Sequence, residues 1–282
     1  MPETTAAEPL VRIEDLDVTF GSGAHATKAL SQVSLEIAPG ESLGLVGESG
    51  SGKSTLAKAM VGAGPITAGR IVIDGQDVGA AGRGGLDRTL LQMIPQDPYS
   101  SLSPRRTAGQ AIAEALDPLR ADVKKHRDTI VEWLERVELD AGAVDKYPYE
   151  FSGGQRQRIA IARSLCIRPR LVIADEITSA LDLSVQAEVL RLLAALREEL
   201  SLTMLFISHN LAVVRHVSDR VAVLYHGELV EVGEVDQVFR TPQAPYTRSL
   251  LDSVPGGPGF ILRDDRAHDP RDGADERTGT PR

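Results

Sequence analysis

The sequence predicts an α/β protein: a parallel or mixed sheet as the core, an antiparallel β unit at the start, and a block of helices inserted midway. Three observations lead there. Strand-like and helix-like segments alternate along the chain, as they do in folds built from strand–helix–strand units. Three strand candidates, "ESLGLV", "RLVIADE" and "TMLFISH", are almost continuously apolar, which suits strands covered on both faces. By contrast, "VRIEDLDVTF" and "SQVSLEI" alternate apolar and polar residues, as a sheet with one wet face requires.

Composition sets the limits. The chain has 282 residues, 42% hydrophobic and 25% charged, enough for one large α/β domain or two modest ones. A net charge of −9 gives no electrostatic case for nucleic acid, so none is expected among its partners. The single cysteine, Cys166, excludes a disulfide framework or cysteine metal cage and reads as a small core residue. The opening "MPETTAAEPL" lacks the basic and apolar regions of a signal peptide. No apolar run reaches the length of about 18 residues that a spanning helix needs. The expectation is a cytosolic protein that works at a membrane only through a partner.

Along the chain, the two alternating strands come first and cover residues 11 to 37, with a Gly-Ser-Gly turn between them. "ESLGLV" is a buried strand ending at Val46, and "KSTLAKAMVGA" has helical composition, with Leu56, Met60 and Val61 near a 3-4 spacing. "GRIVIDGQDV" reads as strand and turn, while "LLQMIPQDPYSSLSPRR" begins as a strand and breaks at prolines. "AGQAIAEALDPL" and "HRDTIVEWLERVEL" carry helical apolar spacing and form the inserted block, about residues 100–165. "RLVIADE" and "TMLFISH" are strands flanking the amphipathic "AEVLRLLAALREEL", and "RVAVLYHGELVEVG" is a strand pair around a His-Gly turn. No internal repeat occurs. From Gly256 the chain turns polar and rich in Gly and Pro, and residues 263–282 are expected to be a disordered tail.

Between the buried strand and its helix lies "GESGSGKST". Glycines admit positive φ, so successive backbone N–H groups can point into one concavity, and the helix start adds free N–H groups and a positive dipole end. That is a site for a phosphate chain. Gly47-x4-Gly52-Lys53-Ser54 is the full P-loop pattern: Lys53 reaches the β- and γ-phosphates and Ser54 places its hydroxyl on Mg2+. "LVIADE" ends on Asp175 and Glu176, and a carboxylate at the C-terminal end of such a strand lies beside the phosphates. Asp175 suits the metal, and Glu176 suits the attacking water. "EFSGGQRQRIAIARSL" puts Ser152, Gly153 and Gly154 at another helix N-terminus, a second anion site. One nucleotide does not need two such sites from one chain; two chains face to face would use one of each.

With these motifs in this order, the chain resembles the nucleotide-binding subunits of ATP-binding cassette (ABC) transporters, over residues 11 to about 235. The resemblance implies a P-loop NTPase fold binding ATP and Mg2+. Phe20 matches the aromatic that stacks on adenine, and Gly47, Glu48, Ser49, Gly50, Ser51, Gly52, Lys53, Ser54 and Thr55 match the Walker A loop. Gln96 matches the glutamine that touches metal and water. Ser152, Gly153, Gly154 and Gln155, after Phe151, match the signature presented to a partner's ATP. Leu171 to Asp175 match Walker B, with Asp175, Ser54 and Gln96 as the metal group and Glu176 as the catalytic carboxylate. Ser179 and Asp182 match the D-loop, and His209 the switch histidine. Three positions depart from the pattern: Phe151 for leucine, Ile177 for proline and Asn210 for aspartate. None removes a phosphate, metal or proton-transfer group.

Within the family, "PQDPYSSLSPR", "YPYEFSGGQRQRIAIARSL" and "TPQAPYTRSLLDSVP" resemble the oligopeptide, dipeptide and nickel importer subunits. The resemblance implies an ATPase domain over about 9–255, with a C-terminal subfamily segment over about 236–262. It implies a second ATPase subunit, two permeases and an extracytoplasmic substrate-binding protein as partners, and a peripheral place on the cytoplasmic face of the membrane. No cysteine follows Cys166, so the iron–sulfur centre of some relatives is absent. The resemblance implies a subunit that hydrolyses ATP to power import of oligopeptides or dipeptides; nickel or metallophore import, or a soluble phosphonate-degrading complex, are the alternatives.

Overall fold

The computed structural model describes residues 8–81, 87, 89–97 and 101–253. The expected tail, the end of the C-terminal segment from residue 254, and Pro98, Tyr99 and Ser100 lie outside the described residues. An antiparallel sheet opens the chain, in the order β2-β1-β4-β5, from β1 (Val11–Phe20), β2 (Thr27–Ile37), β4 (Ala68–Ile73) and the short β5 (Gln76–Asp77). The alternating pattern of β1 is realised: Val11, Ile13, Leu16 and Val18 point into the core, and the residues between them are wetter.

The second sheet has the order β10-β9-β3-β8-β7-β6, built from β3 (Ser42–Val46), β6 (Leu91–Ile94), β7 (Leu171–Asp175), β8 (Thr203–Ile207), β9 (Arg220–Tyr225) and β10 (Glu228–Glu234). Its pairings are parallel except for β9 with β10, which form the antiparallel pair at the His-Gly turn. The apolar strands β3, β7 and β8 are buried along their whole length because both faces are covered. Leu43, Leu45, Ile173 and Leu205 face the antiparallel sheet and α1 (Lys53–Met60). Val46, Val172, Ala174 and Phe206 face the helices on the other side. The mixed α/β fold expected from the sequence is the fold observed.

The β4–β5 unit leads into the short α2 (Val78–Ala81). The inserted block contains α3 (Ala108–Leu116), α4 (Arg127–Arg136) and α5 (Gly153–Leu165). Thr107 and Gln110 form a reciprocal capping box at the start of α3, and the helix stops before Asp117-Pro118. Trp133 is buried in α4 with the Arg136 guanidinium 5.2 Å over its ring. Cys166 is a buried core residue whose thiol donates to the Arg163 carbonyl. The next helix, α6 (Leu183–Leu200), starts earlier than its apolar spacing suggests, because Asp182 caps it. Arg158 of α5 ties the block down by pairing with Glu138 and, at 3.0 Å, with Glu188 of α6. Among the described residues three helices follow towards the C-terminus: α7 (Leu211–Val217), α8 (Val235–Arg240) and α9 (Pro245–Asp252).

Candidate functional site

Four parallel strands end level with one another. Leu45 of β3 and Asp175 of β7 both lie opposite Ile207 of β8, and Ile94 of β6 lies opposite Ala174. Each strand then runs into a different motif: β3 into Gly47, β6 into Pro95-Gln96, β7 into Glu176, and β8 into Ser208-His209. The carboxyl edge of such a sheet is where ligands sit in α/β folds.

The glycine loop is shaped by its neighbours. Gly47 has φ +151, and a Cβ there would stand 2.1 Å from the Leu224 carbonyl oxygen of β9. No side chain could take its place without moving that strand. The turn after β9 holds the loop from the side, with Gly227 N–H on the Ser51 carbonyl at 2.9 Å. Gly52 starts α1 without a side-chain cap, so the first-turn N–H groups and dipole face the loop. Lys53 is 5% exposed, and its ammonium donates to the carbonyls of Gly47 (2.8 Å) and Glu48 (2.7 Å) and to Ser51 Oγ (3.4 Å). Burial lowers its pKa, and the charges of Glu176, Asp175 and Glu48 pull it back up. A buried cation beside uncapped amides is a strong anion site.

Asp175 is buried, and its Oδ1 has no hydrogen-bond partner. Burial raises its pKa, the Glu176 charge adds to this, and Lys53, Lys58 and the Ser54 hydroxyl act the other way. An orphaned carboxylate oxygen beside a serine hydroxyl suits a hard divalent cation. Among the described residues no cluster of three or more His, Cys, Asp or Glu could hold a metal by itself. An ion here would complete its shell from water and from a ligand's oxygens.

Glu176 is the meeting point. Its φ of +48 is left-handed, unusual for a non-glycine residue, and its N–H is fixed on the Ile207 carbonyl at 2.9 Å. Oε2 receives Gln96 Nε2 at 3.2 Å and faces His209 Nδ1 at 3.4 Å. Gln96 Nε2 also lies 3.2 Å from Ser179 Oγ, which donates to the Glu176 carbonyl at 2.9 Å. The structure thus brings Gln96 to Glu176 and Ser179; the sequence places it both with Glu176 and His209 in the catalytic group and with Ser54 and Asp175 in the metal group.

The signature residues sit on α5. Ser152 Oγ accepts from Gln155 N–H at 3.3 Å, and Gln155 Oε1 accepts from Ser152 N–H at 3.0 Å. The Gln155 side chain is therefore turned back onto its own helix. Gly154 is required inside the chain, since a Cβ would meet Val185 Cγ1 at 2.4 Å. Gly153 is not: its Cβ would touch only Leu181, at an ordinary 3.5 Å. Asp182 accepts from Val185 N–H and the Ser184 hydroxyl, which keep its carboxyl below the usual range. Phe20, at the end of β1, is 46% exposed.

Residues 30–179 match the family model described as ABC transporter. The chain belongs to the ABC transporter family. It is 45% identical over 254 residues to the oligopeptide transport ATP-binding protein AmiF of Streptococcus pneumoniae, covering 88% of this chain and 82% of that one. With the oligopeptide transport ATP-binding protein OppF of Bacillus subtilis it shares 45% over 255 residues, 88% of this chain and 83% of the other. Among solved structures, the dimeric ATP-binding cassette MJ0796 in a post-hydrolysis state bound to ADP and Pi is 29% identical. It matches with a TM-score of 0.69, over 80% of this chain and 98% of that one.

The three departures from the ABC pattern are absorbed locally. Phe151 and Ile177 are both buried in the larger core cluster. Asn210 caps α7, accepting from Ala212 N–H at 3.1 Å and Val213 N–H at 3.4 Å, as an aspartate would. The sequence reading missed Tyr246. Its hydroxyl accepts from the Glu48 N–H, inside the glycine loop, at 3.1 Å. "TPQAPYTRSLLDSVP" marks a subfamily, but nothing in its pattern pointed to that loop.

Proposed function

We propose that this ABC family chain is the ATP-hydrolysing subunit of an importer of oligopeptides or dipeptides, working as one of two cassettes on the cytoplasmic face beneath two permeases. The observation that carries the catalytic part is the convergence of Gln96, Ser179 and His209 on Glu176, beside a lysine-bearing phosphate loop. The peptide class rests on the names of AmiF and OppF and on the high coverage of both chains.

ATP lies with its adenine on Phe20 and its phosphates in the loop of residues 47–55. Lys53 exchanges the carbonyls of Gly47 and Glu48 for β- and γ-phosphate oxygens. Ser54, Asp175 and Gln96 would hold Mg2+, which would supply neutralisation of the β/γ-phosphate charge. Glu176 takes a proton from the attacking water, and Gln96 and His209 fix its carboxylate. Ser152, Gly153 and the N-terminus of α5 meet the ATP of the facing cassette, with Gln155 keeping the cap in shape. Ser179 and Asp182 order the connection between catalytic glutamate and α6. No helix among the described residues is long and apolar enough to cross a membrane. The permeases contact residues 97–106 and α3, and the substrate-binding protein acts on their far side.

Purification of the complex from its native membrane tests this reading. Permease subunits should co-purify, and a peptide-loaded binding protein should stimulate ATP turnover. Lys53→Ala should weaken ATP binding and abolish turnover, because it deletes the charge on the phosphates. Turnover within a few-fold of wild type in that variant contradicts the site assignment.

A further inference from the structure

Tyr246 lies outside the stretch matched by the family model, yet it touches the phosphate loop. The contact is a built one. Tyr246 is in the first turn of α9, and its ring stacks on Tyr225 at a centroid distance of 4.0 Å. Tyr225 ends β9, the strand beside the one that feeds the loop. The approach to α9 is pinned by Glu231 of β10, whose carboxylate accepts from Gln243 N–H at 2.8 Å and Ala244 N–H at 3.0 Å. The Glu48 backbone is therefore held at two points. Its N–H goes to the Tyr246 hydroxyl, and its carbonyl takes the Lys53 ammonium.

These two holds differ in kind. Lys53 leaves the Glu48 carbonyl when its charge turns to phosphate. The hydroxyl of Tyr246 carries no charge and has no part in phosphate binding. It can keep the first peptide of the loop in place while the lysine moves. Without it, the loop must restrict that peptide at the moment of binding, and the entropy is taken from affinity.

We propose that Tyr246 is a positioning residue of the nucleotide site, through which the C-terminal segment sets how tightly the phosphate loop binds nucleotide. The proposal rests on the reading of residues 47–55 as the ATP site. It makes the C-terminal segment part of that site.

The test uses the full chain and compares wild type, Tyr246→Phe, Tyr225→Ala and Tyr225→Phe. Tyr246→Phe removes only the accepting oxygen. It should raise the Kd for both ATP and ADP by about two- to tenfold, the usual worth of one hydrogen bond. The KM should rise equally with kcat nearly unchanged, since the loss is in uniform binding. The nucleotide-free melting temperature should stay at the wild-type value. Tyr225→Ala, which takes away the supporting ring, should weaken binding in the same direction, and Tyr225→Phe should restore it. Wild-type affinity in Tyr246→Phe overturns the proposal, as does a fall in nucleotide-free melting temperature with Kd unchanged, which would make the tyrosine a packing residue. If wild type binds neither nucleotide, the ATP-site reading and this inference fall together.

Discussion

The residues of the site are bound into one charge arrangement, and its balance makes two predictions. Asp175 and Glu176 are neighbouring carboxylates; Lys53 offsets both and Lys58 acts on Asp175. The pKa of Asp175 lies above that of an unfolded chain because burial and Glu176 disfavour its ionised form. Its contribution to stability is thus full below the unfolded pKa and is lost as pH rises through the folded one. At neutral pH without nucleotide, Asp175 is a burden on the fold. Asp175→Asn should raise the nucleotide-free melting temperature by a few degrees at pH 7, with the gain fading as pH falls through the raised folded pKa and gone below the unfolded value of about 4. The same variant should lose turnover. A lowered melting temperature at pH 7 contradicts the charge balance. Glu176→Gln should bind ATP but not turn it over, since an amide accepts no proton from water, and it should accumulate as an ATP-bound dimer in size-exclusion experiments. Failure to bind ATP would make Glu176 a metal or folding residue. Lys53, Ser54, Asp175, Glu176 and His209 were legible because each comes after a strand or glycine signal in fixed order. Tyr246 was not, because a contact made across almost 200 residues of chain leaves no local pattern.

Among the elements, the buried strands were the easiest to read. β3, β7 and β8 are apolar throughout because both faces are covered, and the sequence says so directly. Helices with a full apolar stripe, such as α4 and α5, were also legible. The short helices were not. α7 and α8 have 7 and 6 residues, too few for periodicity to declare itself. Asn210 is the one local sign of α7. The element with the most to test is β6, together with the segment that leads from it to α3. The strand ends at Ile94, Gln96 reaches Glu176, and residues 101–106 run on to the capping box of α3. Beside it a cavity of about 300 Å³ is lined by Gln92, Glu114, Pro118 and Arg163. Cysteines placed singly between residues 97 and 106 in a chain with Cys166 replaced should crosslink to a permease, more strongly in one nucleotide state than the other. Crosslinks that never capture a permease contradict this docking surface.

For the whole molecule, the proposed function gives one chain two anion sites, and the question is why. The phosphate loop is fed by β3 and packs with α1 on the antiparallel-sheet side, while the signature begins α5 on the helical side. Among the described residues no hydrogen bond or ion pair joins residues 152–155 to residues 47–55. Nor does any described residue call for glycine at 153, where a Cβ would meet only Leu181 at 3.5 Å. Under the proposed function, the bare backbone at Gly153 meets the ATP of a facing cassette. The most direct measurement is ATP binding and turnover by the isolated Gly153→Asp subunit. ATP affinity should stay within a few-fold of wild type, with dimerisation and hydrolysis lost because a carboxylate then faces the partner's γ-phosphate. Strong loss of ATP binding by the isolated subunit would mean that the signature serves its own nucleotide, and the two-chain site would be wrong.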